Sequence, residues 1–492
     1  MNLKSAIKWM VFVLLLSLPA LSQEKASYSD FFWDKTMRFD YFHTGDAGGE
    51  IITCDQIYIQ GKWAGNMTHL LDPFNIGRYA VKIYEESSGK LIFSKGFDSY
   101  FGEYKTTNKA IQGIKRTYHE TVLFPCPKDN IKLVLEIRDR GNKLKPLYEQ
   151  DINPNATGII QEKLADNVNI YPILKTGHPH ISVDIAILGE GYTRMNETKF
   201  IQDLKRMVDV FFAQEPYQSH KKNFNIYGVL KFSFEEGCDE PRHGQYKNTC
   251  LAATFNSLDS SRYLLTEDNR SVRDIAAHVP YDTLVILVNH ERYGGGGIYN
   301  LFCTLTSDSQ WSDYLLLHEF GHSFSGLADE YYTSSVAYSD FYPKGIEPLE
   351  PNITALLNPE KLKWKELITE GIEVPTPWDK EKFDKMDLSY QKAREEIQAK
   401  IARMKIEGAD RTEIQKAIRK SEDLSMDHSA KIAQFLKEIR FQGEVGAFEG
   451  AGYSSKGLYR PMLDCIMFTK GLKPYCKVCE KAILQMILHY TQ

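Results

Sequence analysis

A histidine–glutamate–histidine group stands at residues 318–322, where the sequence reads His318-Glu319-Phe320-Gly321-His322. Histidines four positions apart lie on one face of a helix, so two imidazole nitrogens can bind a single Zn²⁺ ion. Glu319 then lies beside the ion, where it can take a proton from water and pass it to a leaving amine. The spacing therefore predicts a zinc site that hydrolyses peptide bonds, with Glu319 as its general base.

The residues around this motif predict a buried helix. Ser312 is a candidate N-cap, and the apolar stretch 314–317 leads directly into the motif. Gly326 can adopt the left-handed conformation that ends a helix. Because a buried cluster of polar side chains needs partners, the apolar surroundings favour a metal over two histidines without a role.

A catalytic zinc normally takes three protein ligands and keeps a fourth position for water. Asp329 follows Gly326 by three residues and is the favoured third ligand. The metzincin pattern has its glycine one position earlier and a histidine as third ligand, so two alternatives stay open. They are Glu330 and a distant glutamate on a later helix.

A second group of candidates lies near the C-terminus. Cys465-Ile466-Met467 predicts an apolar turn beneath the histidines, with Met467 as the favoured floor residue and Met462 behind it. A core methionine without that role explains the same residues equally well. Tyr453 and Tyr459 are candidate donors to a developing oxyanion.

Together these residues resemble the bacterial IgA-peptidase-type zinc metallopeptidase family. The resemblance rests on residues 318–331, supported by Tyr-Arg-Pro at 459–461 and Cys-x-x-Cys-Glu at 476–480. It covers the catalytic half and, more loosely, an N-terminal all-β unit. It implies a zincin with His318, His322 and Asp329 on Zn²⁺, Glu319 as base, and a protein or peptide substrate such as immunoglobulin A or another host mucosal protein.

The N-terminus predicts export. Residues 1–22 have the form of a signal peptide: Lys4 and Lys8, an apolar core at 9–18, and small residues before Gln23. The apolar core is too short for a membrane span, and no cysteine follows the cleavage site to carry a lipid. We therefore expect a secreted, periplasmic or cell-surface protein without a transmembrane helix.

Eight cysteines in an exported chain can pair in 105 ways, and the sequence does not choose among them. Cys54 and Cys126 could bridge the sheets of the first domain. Cys238 and Cys250 bracket a polar loop and are a plausible local pair.

The remaining cysteines include a Cys476-x-x-Cys479 pair with Cys465 nearby. A zinc ribbon needs two such pairs, and the exported chain meets an oxidising environment. The sequence therefore favours disulfides or free thiols over a metal at this position.

The hydrophobic pattern predicts an α+β protein. Alternating apolar and polar residues with turn signals predict a β-sandwich first, and strands alternating with a helix predict an α/β zincin domain after it. The expected units are a signal peptide at 1–22, a β-sandwich at 23–158, the catalytic domain at 159–378, a helical insertion at 379–440, and the rest of the catalytic domain, with the methionine turn and the cysteines, at 441–492.

Within the catalytic domain we expect strands at 183–189, 224–230 and 283–288 and a helix at 197–212. The four glycines at 294–297 predict a mobile loop leading to an edge strand, with which a peptide substrate could pair. They lack the Lys-Ser/Thr and the helix of a phosphate-binding loop.

The distribution of charge bears on whether the protein binds nucleic acid or a membrane. The net charge is −5 with both signs interspersed, and the charged stretch 379–440 has the spacing of solvated helices, so nothing favours nucleic acid or a membrane. Two alternatives to the peptidase are an exported glycan- or protein-binding module with a structural zinc, and a zinc amidase. A structural site needs a fourth ligand, so the glutamate of the motif argues against the module.

Overall fold

The computed structural model describes residues 27–260, 263–333 and 342–492, so the predicted signal peptide lies outside the described residues. The chain is α+β, as predicted. Its strands are β1 Phe32–Asp46, β2 Gly49–Ile59, β3 Tyr79–Glu85, β4 Leu91–Phe97, β5 Arg116–Pro127, β6 Ile131–Arg138, β7 Leu144–Ile152, β8 Ile159–Gln161, β9 Asn169–Leu174, β10 Val183–Glu190, β11 Phe224–Leu230, β12 Thr254–Phe255, β13 Leu264–Leu265, β14 Thr283–Val288, β15 Gly295–Ile298, β16 Phe302–Thr306, β17 Phe448–Ala451 and β18 Ser454–Arg460. Its α-helices are α1 Tyr28–Phe31, α2 Tyr100–Tyr104, α3 Asn108–Ile111, α4 Glu197–Phe211, α5 Asn269–Ala276, α6 Ser312–Ser325, α7 Lys380–Ile406, α8 Arg411–Lys437 and α9 Lys477–Thr491.

The N-terminal part is a β-sandwich of two four-stranded sheets. Their strand orders are β5-β1-β2-β8 and β4-β3-β6-β7. Alternate side chains of both sheets point inward and form one core, in which Phe39 and Phe124 of the first sheet and Ile83 and Leu133 of the second are fully buried.

The part of the chain that is predicted to be catalytic, called the catalytic part below, is built on a six-stranded mixed sheet with the order β15-β16-β14-β10-β11-β9. Strands β10, β11, β14 and β16 run parallel, while β9 and β15 are antiparallel to their neighbours. Every residue of β10, β11, β14 and β16 is buried, because helices and loops cover both faces of the sheet. The strands and the helix expected in this half are all present.

The glycine run was predicted to be a mobile loop, and that prediction is wrong. Gly295–Ile298 is itself the edge strand β15, paired antiparallel to β16. Its backbone lies so close to α6 that a Cβ on Gly295 would sit 3.0 Å from Glu319 Oε1, and one on Gly297 would sit 2.9 Å from His322 Cβ. A side chain at either position would therefore collide with the helix.

Helix α6 is buried on nearly all sides, as its apolar sequence predicts. The helix begins one residue earlier than predicted. Trp311 occupies the N-cap position instead of Ser312, and the Ser312 hydroxyl donates to the backbone oxygen of Ser309. It ends where predicted, since Gly326 has a left-handed φ of 61° and its N–H donates to the carbonyl of His322.

The charged segment is helical and solvated, as predicted, and forms two helices, α7 and α8. Tyr390 of α7 stacks on His428 of α8 with ring centroids 4.0 Å apart. The pair touches the catalytic part where the Tyr332 hydroxyl donates to Asp384. The two helices are thus anchored to a residue that lies just beyond the His318–His322 motif.

Cys54 and Cys126 do not bridge the two sheets of the sandwich. They belong to the same sheet and pair with positions 41 and 33 of β1, so about 26 Å of strand separates them. A disulfide needs Cα atoms within about 7 Å. Cys238 and Cys250 are free thiols as well.

Membrane crossing has no support in the described residues. None of the helices in residues 27–260, 263–333 and 342–492 combines the length and apolarity that a bilayer requires.

Candidate active site

Helix α6 places the two motif histidines at the floor of a cleft. Their Nε2 atoms lie 3.2 Å apart, and their rings are perpendicular, with centroids 4.7 Å apart. His318 is buried, while the His322 side chain is 14% exposed. The i,i+4 spacing therefore brings two nitrogen lone pairs to one point, as the sequence predicts.

Asp329 completes a triangle with these histidines. Its Oδ1 lies 3.1 Å from His318 Nε2 and 3.2 Å from His322 Nε2. Ligand bonds of 2.0–2.1 Å around a tetrahedral zinc ion place neighbouring ligand atoms about 3.3 Å apart. These three side chains, which we call the histidine cluster, could hold such an ion and leave one corner open.

The other two candidates for the third ligand are not brought to this triangle. Glu330 turns away from the histidines, with its Oε1 3.2 Å from Cys479 Sγ. In the described part of the chain, no carboxylate from a later helix joins the metal-ligating group around His318 and His322. Asp329 is the aspartate or glutamate that the fold places between the two rings.

Backbone carbonyls fix the orientation of both rings. His318 Nδ1 lies 3.0 Å from the carbonyl of Ile466, and His322 Nδ1 lies 2.6 Å from that of Leu327. A carbonyl only accepts, so each Nδ1 carries a proton, and each Nε2 is the nitrogen that faces the cluster and can bind a metal once it has lost its proton. Nothing in the sequence pattern predicts the role of these two carbonyls.

The electrostatics of the histidine cluster favour a cation. Burial lowers the pKa of His322, but the charge and hydrogen bond of Asp329 outweigh burial and raise that pKa to about 9. Burial likewise raises the pKa of Asp329, yet the two imidazoles hold it well below its usual range. The ionised carboxylate of Asp329 thus stabilises positive charge at the point where the two rings meet.

Glu319 lies beside the histidine cluster. One of its carboxylate oxygens is within 4.8 Å of a ring nitrogen of each histidine, and its side chain lines the cleft. Asp329 is nearer to both rings, at 3.1–3.2 Å. Glu319 is therefore placed to reach a water molecule in the open corner rather than to fill a ligand position.

Met467 packs beneath the motif. It is fully buried, and its Sδ lies 3.1 Å from where a Cβ on Gly321 would be. The carbonyl of the preceding Ile466 is the one that orients His318. Met462 is only partly buried at the edge of the core. Of the two methionines, Met467 is the one that lies under the metal helix.

The two candidate tyrosines occupy different places. The Tyr453 hydroxyl donates to Asp329 Oδ2, and the neighbouring Gly452 N–H donates to the Asp329 carbonyl. Tyr459 lies in β18 and pairs its backbone with Thr354, and among the described residues it does not line the cleft. The prediction of Tyr459 as an oxyanion donor is therefore wrong, and Tyr453 is bound to the carboxylate instead.

The cleft above the histidine cluster has a volume of about 740 Å³. Both parts of the chain line it: Arg78 and Arg138 come from the sandwich, while Gly297 and Tyr331 come from the catalytic part. The edge strand β15 forms one side of this cleft.

The chain matches two protein-family models. A model described as IgA Peptidase M64 matches residues 171–487, which include α6 and the histidine cluster. The chain belongs to this family. A second model, described as Peptidase M64 N-terminus, matches residues 27–149. The M64 match makes the chain a peptidase of a metallopeptidase family, whose substrates are proteins or peptides. A search of curated proteins gives no match.

Proposed function

We propose that this M64 protein is a secreted zinc endopeptidase whose metal is held by His318, His322 and Asp329. The observation that carries the proposal is the triangle of ligand atoms, 3.1–3.2 Å on each side, at the floor of the cleft. Three nitrogen and oxygen ligands with a free corner are the arrangement of a catalytic zinc. The predicted units, including the signal peptide at 1–22, are part of the proposal.

When bound, zinc would supply Lewis acidity that polarises a carbonyl and lowers the pKa of water. Glu319 takes the proton of the attacking water and delivers it to the leaving amine nitrogen. Tyr453 holds Asp329 through its hydroxyl, and the carbonyls of Ile466 and Leu327 bind the Nδ1 atoms, so that the two Nε2 atoms would face the ion. The side chains of Glu319, Asp329 and Tyr453 all line the cleft.

Strand β15 supports cleavage within a chain rather than at its end. Gly297 and Ile298 line the cleft beside Glu319, and β15 is the edge of its sheet. Pairing along such an edge uses backbone hydrogen bonds, which recognise an extended peptide without requiring a terminus. Side-chain selectivity then falls to the other cleft-lining residues.

The test compares Glu319→Gln with the wild-type protein, and Glu360→Gln serves as the control because that glutamate is 81% exposed. Zinc content and cleavage of denatured protein, intact immunoglobulin A and non-peptide amides are measured on the same samples. We expect unchanged zinc in all three proteins and a roughly 10²–10⁴-fold loss of peptide cleavage in Glu319→Gln alone. Equal cleavage by Glu319→Gln and wild type would refute the role of the base, and cleavage of amides alone would refute the peptidase.

A further inference from the structure

A second cluster of metal-ligating side chains lies beneath the histidine cluster. Ligand atoms of four residues all lie within 4.8 Å of one another: Glu330, Cys465, Cys476 and Cys479, which we call the cysteine cluster. None of them is more than 2% exposed. The chain brings them together from three places, namely the residue after Asp329, the loop that carries Met467, and the first turn of α9.

The distances within the cysteine cluster fit a tetrahedral ion. Cys465 Sγ lies 3.9 Å from Cys479 Sγ, and Glu330 Oε1 lies 3.2 Å from Cys479 Sγ and 3.7 Å from Cys476 Sγ. Zinc–sulfur bonds of about 2.3 Å place sulfurs about 3.8 Å apart, and mixed sulfur and oxygen ligands about 3.6 Å apart. A disulfide would instead join two sulfurs at about 2.05 Å, and all three cysteines are free thiols here.

Two further observations point to a bound cation. Glu330 is fully buried, and its Oε2 has no hydrogen-bond partner among the described residues. Backbone N–H groups point at the sulfurs: Cys476 N lies 3.1 Å from Cys465 Sγ, and Cys479 N lies 3.4 Å from Cys476 Sγ. Such N–H groups, at the N-terminus of a long helix, stabilise thiolates rather than thiols.

We propose that the cysteine cluster is a second metal site, a closed structural site that holds Zn²⁺ through three thiolates and the Glu330 carboxylate. Binding releases the thiol protons to solvent and changes no oxidation state. All four positions are filled by protein atoms, so no corner is left for water, and the site has no part in hydrolysis.

The position of this site explains what it would stabilise. Cys465 directly precedes Ile466, whose carbonyl orients His318, and the Glu330 N–H donates to the carbonyl of Met467. A metal in the cysteine cluster would therefore tie the loop under the histidine cluster to Glu330 and to α9. It would fix the residue next to Asp329 without touching the substrate.

The first experiment counts zinc in purified mature protein. We expect two ions per chain in the wild type and one in the double variant His318→Ala/His322→Ala. Adding Cys479→Ser to that double variant should remove the remaining ion, whereas adding Cys126→Ser, a buried cysteine in the sandwich, should leave it. A double variant His318→Ala/His322→Ala without zinc, or a triple variant with Cys479→Ser that keeps its zinc, would overturn the proposal.

The second experiment avoids any cysteine variant, because Cys479→Ser could prevent folding. Co²⁺ replaces Zn²⁺ in the double variant His318→Ala/His322→Ala, and the absorption spectrum is recorded. We expect the intense near-ultraviolet band of thiolate-to-cobalt charge transfer and cysteines that resist alkylation until a chelator is added. A spectrum without this band, or a disulfide among these three cysteines by mass spectrometry, would overturn the proposal, whatever the fate of the histidine cluster.

Discussion

Asp329 and Glu330 are adjacent in the chain, yet they face two different clusters. Asp329 lies between two imidazoles, 3.1 and 3.2 Å away, at the floor of the cleft. Glu330 faces the sulfurs of Cys476 and Cys479 in the interior. Two consecutive acidic residues thus point in opposite directions from one stretch of backbone, and each completes a separate set of donors.

The two clusters differ in donor number and in access. The histidine cluster offers three donors, and its His322 side chain is 14% exposed toward the cleft. The cysteine cluster offers four donors that are at most 2% exposed. An open corner beside Glu319 suits a reacting water, and a closed set of four suits a structural ion. Exposure and the number of donors, rather than the presence of a carboxylate, distinguish the proposed catalytic site from the proposed structural site.

The strongest way to break the comparison is to remove one donor from the histidine cluster. His322→Ala should weaken zinc binding there by more than the about 100-fold that loss of an outer partner costs, because a ligand itself is lost. Peptide cleavage should fall with it, while the folded state persists. Competition with a chromophoric chelator measures the affinity, and circular dichroism checks the fold. Wild-type affinity in this variant would contradict the assignment.

A finer test concerns the partner of Asp329. Tyr453→Phe removes the hydroxyl that donates to Asp329 Oδ2 and leaves the ring in place. We expect zinc affinity at the histidine cluster to fall about 10–100-fold, with the cysteine cluster unaffected. Tyr246→Phe is the control, since Tyr246 is 68% exposed. Equal zinc affinities for the two variants would show that Tyr453 does not position the carboxylate.

The open side of the histidine cluster depends on β15. Gly297→Ala would push a Cβ against the α6 backbone and against His322, so we expect a stability loss of about 1–3 kcal/mol together with reduced cleavage. Gly61→Ala adds the same atom where nothing lies within 4 Å. Thermal unfolding of the two variants measures the difference, and matching melting temperatures would argue against close packing of β15 on α6.

A third buried carboxyl group, Asp184 in β10, belongs to neither cluster and illustrates the effect of burial on the pKa of a carboxyl group. Burial, with the nearby Asp282 carboxylate, raises the pKa of Asp184 from 3.8 to about 8, although Asn225 donates to its Oδ1. The folded state then holds a proton that the unfolded chain releases, so stability falls as pH rises from about 4 to 8 and levels off above.

Asp184→Asn should reduce this loss and stabilise the protein at pH 8, with little effect at pH 4. Asp34→Asn, at a more exposed carboxylate, is the control for the loss of one negative charge. Chemical denaturation at several pH values gives the comparison. A variant that is destabilised equally at both pH values would show that Asp184 is bound as a carboxylate.

The sequence predicted the parts of the site that local chemistry determines. The i,i+4 histidines, the glycine that ends α6 and the aspartate beyond it lie within twelve residues, so spacing alone brings them together. The buried strands β10, β11 and β14 were predictable because each is a mainly apolar run, interrupted by single polar residues such as Asp184 and Asn225.

Long-range contacts account for what the sequence did not predict. Glu330 meets Cys476 and Cys479 across 146 and 149 residues, a juxtaposition that only the fold creates. Glycine is a poor strand former, so the glycine run predicts a loop. In the structure the run packs closely on α6, and glycine is the residue that fits there. The available signal was the two glycines at alternate positions, Gly295 and Gly297, in a chain that also carries the metal motif.

The most direct test of the peptidase is to measure cleavage while the histidine cluster is emptied and refilled. A chelator is applied to the wild type until cleavage stops, zinc is then added back in steps, and bound zinc and peptide cleavage are read from each sample. We expect cleavage to return in proportion to the last ion bound, and to stay absent in His318→Ala/His322→Ala at any zinc concentration. Cleavage by that double variant at the wild-type rate would contradict the account.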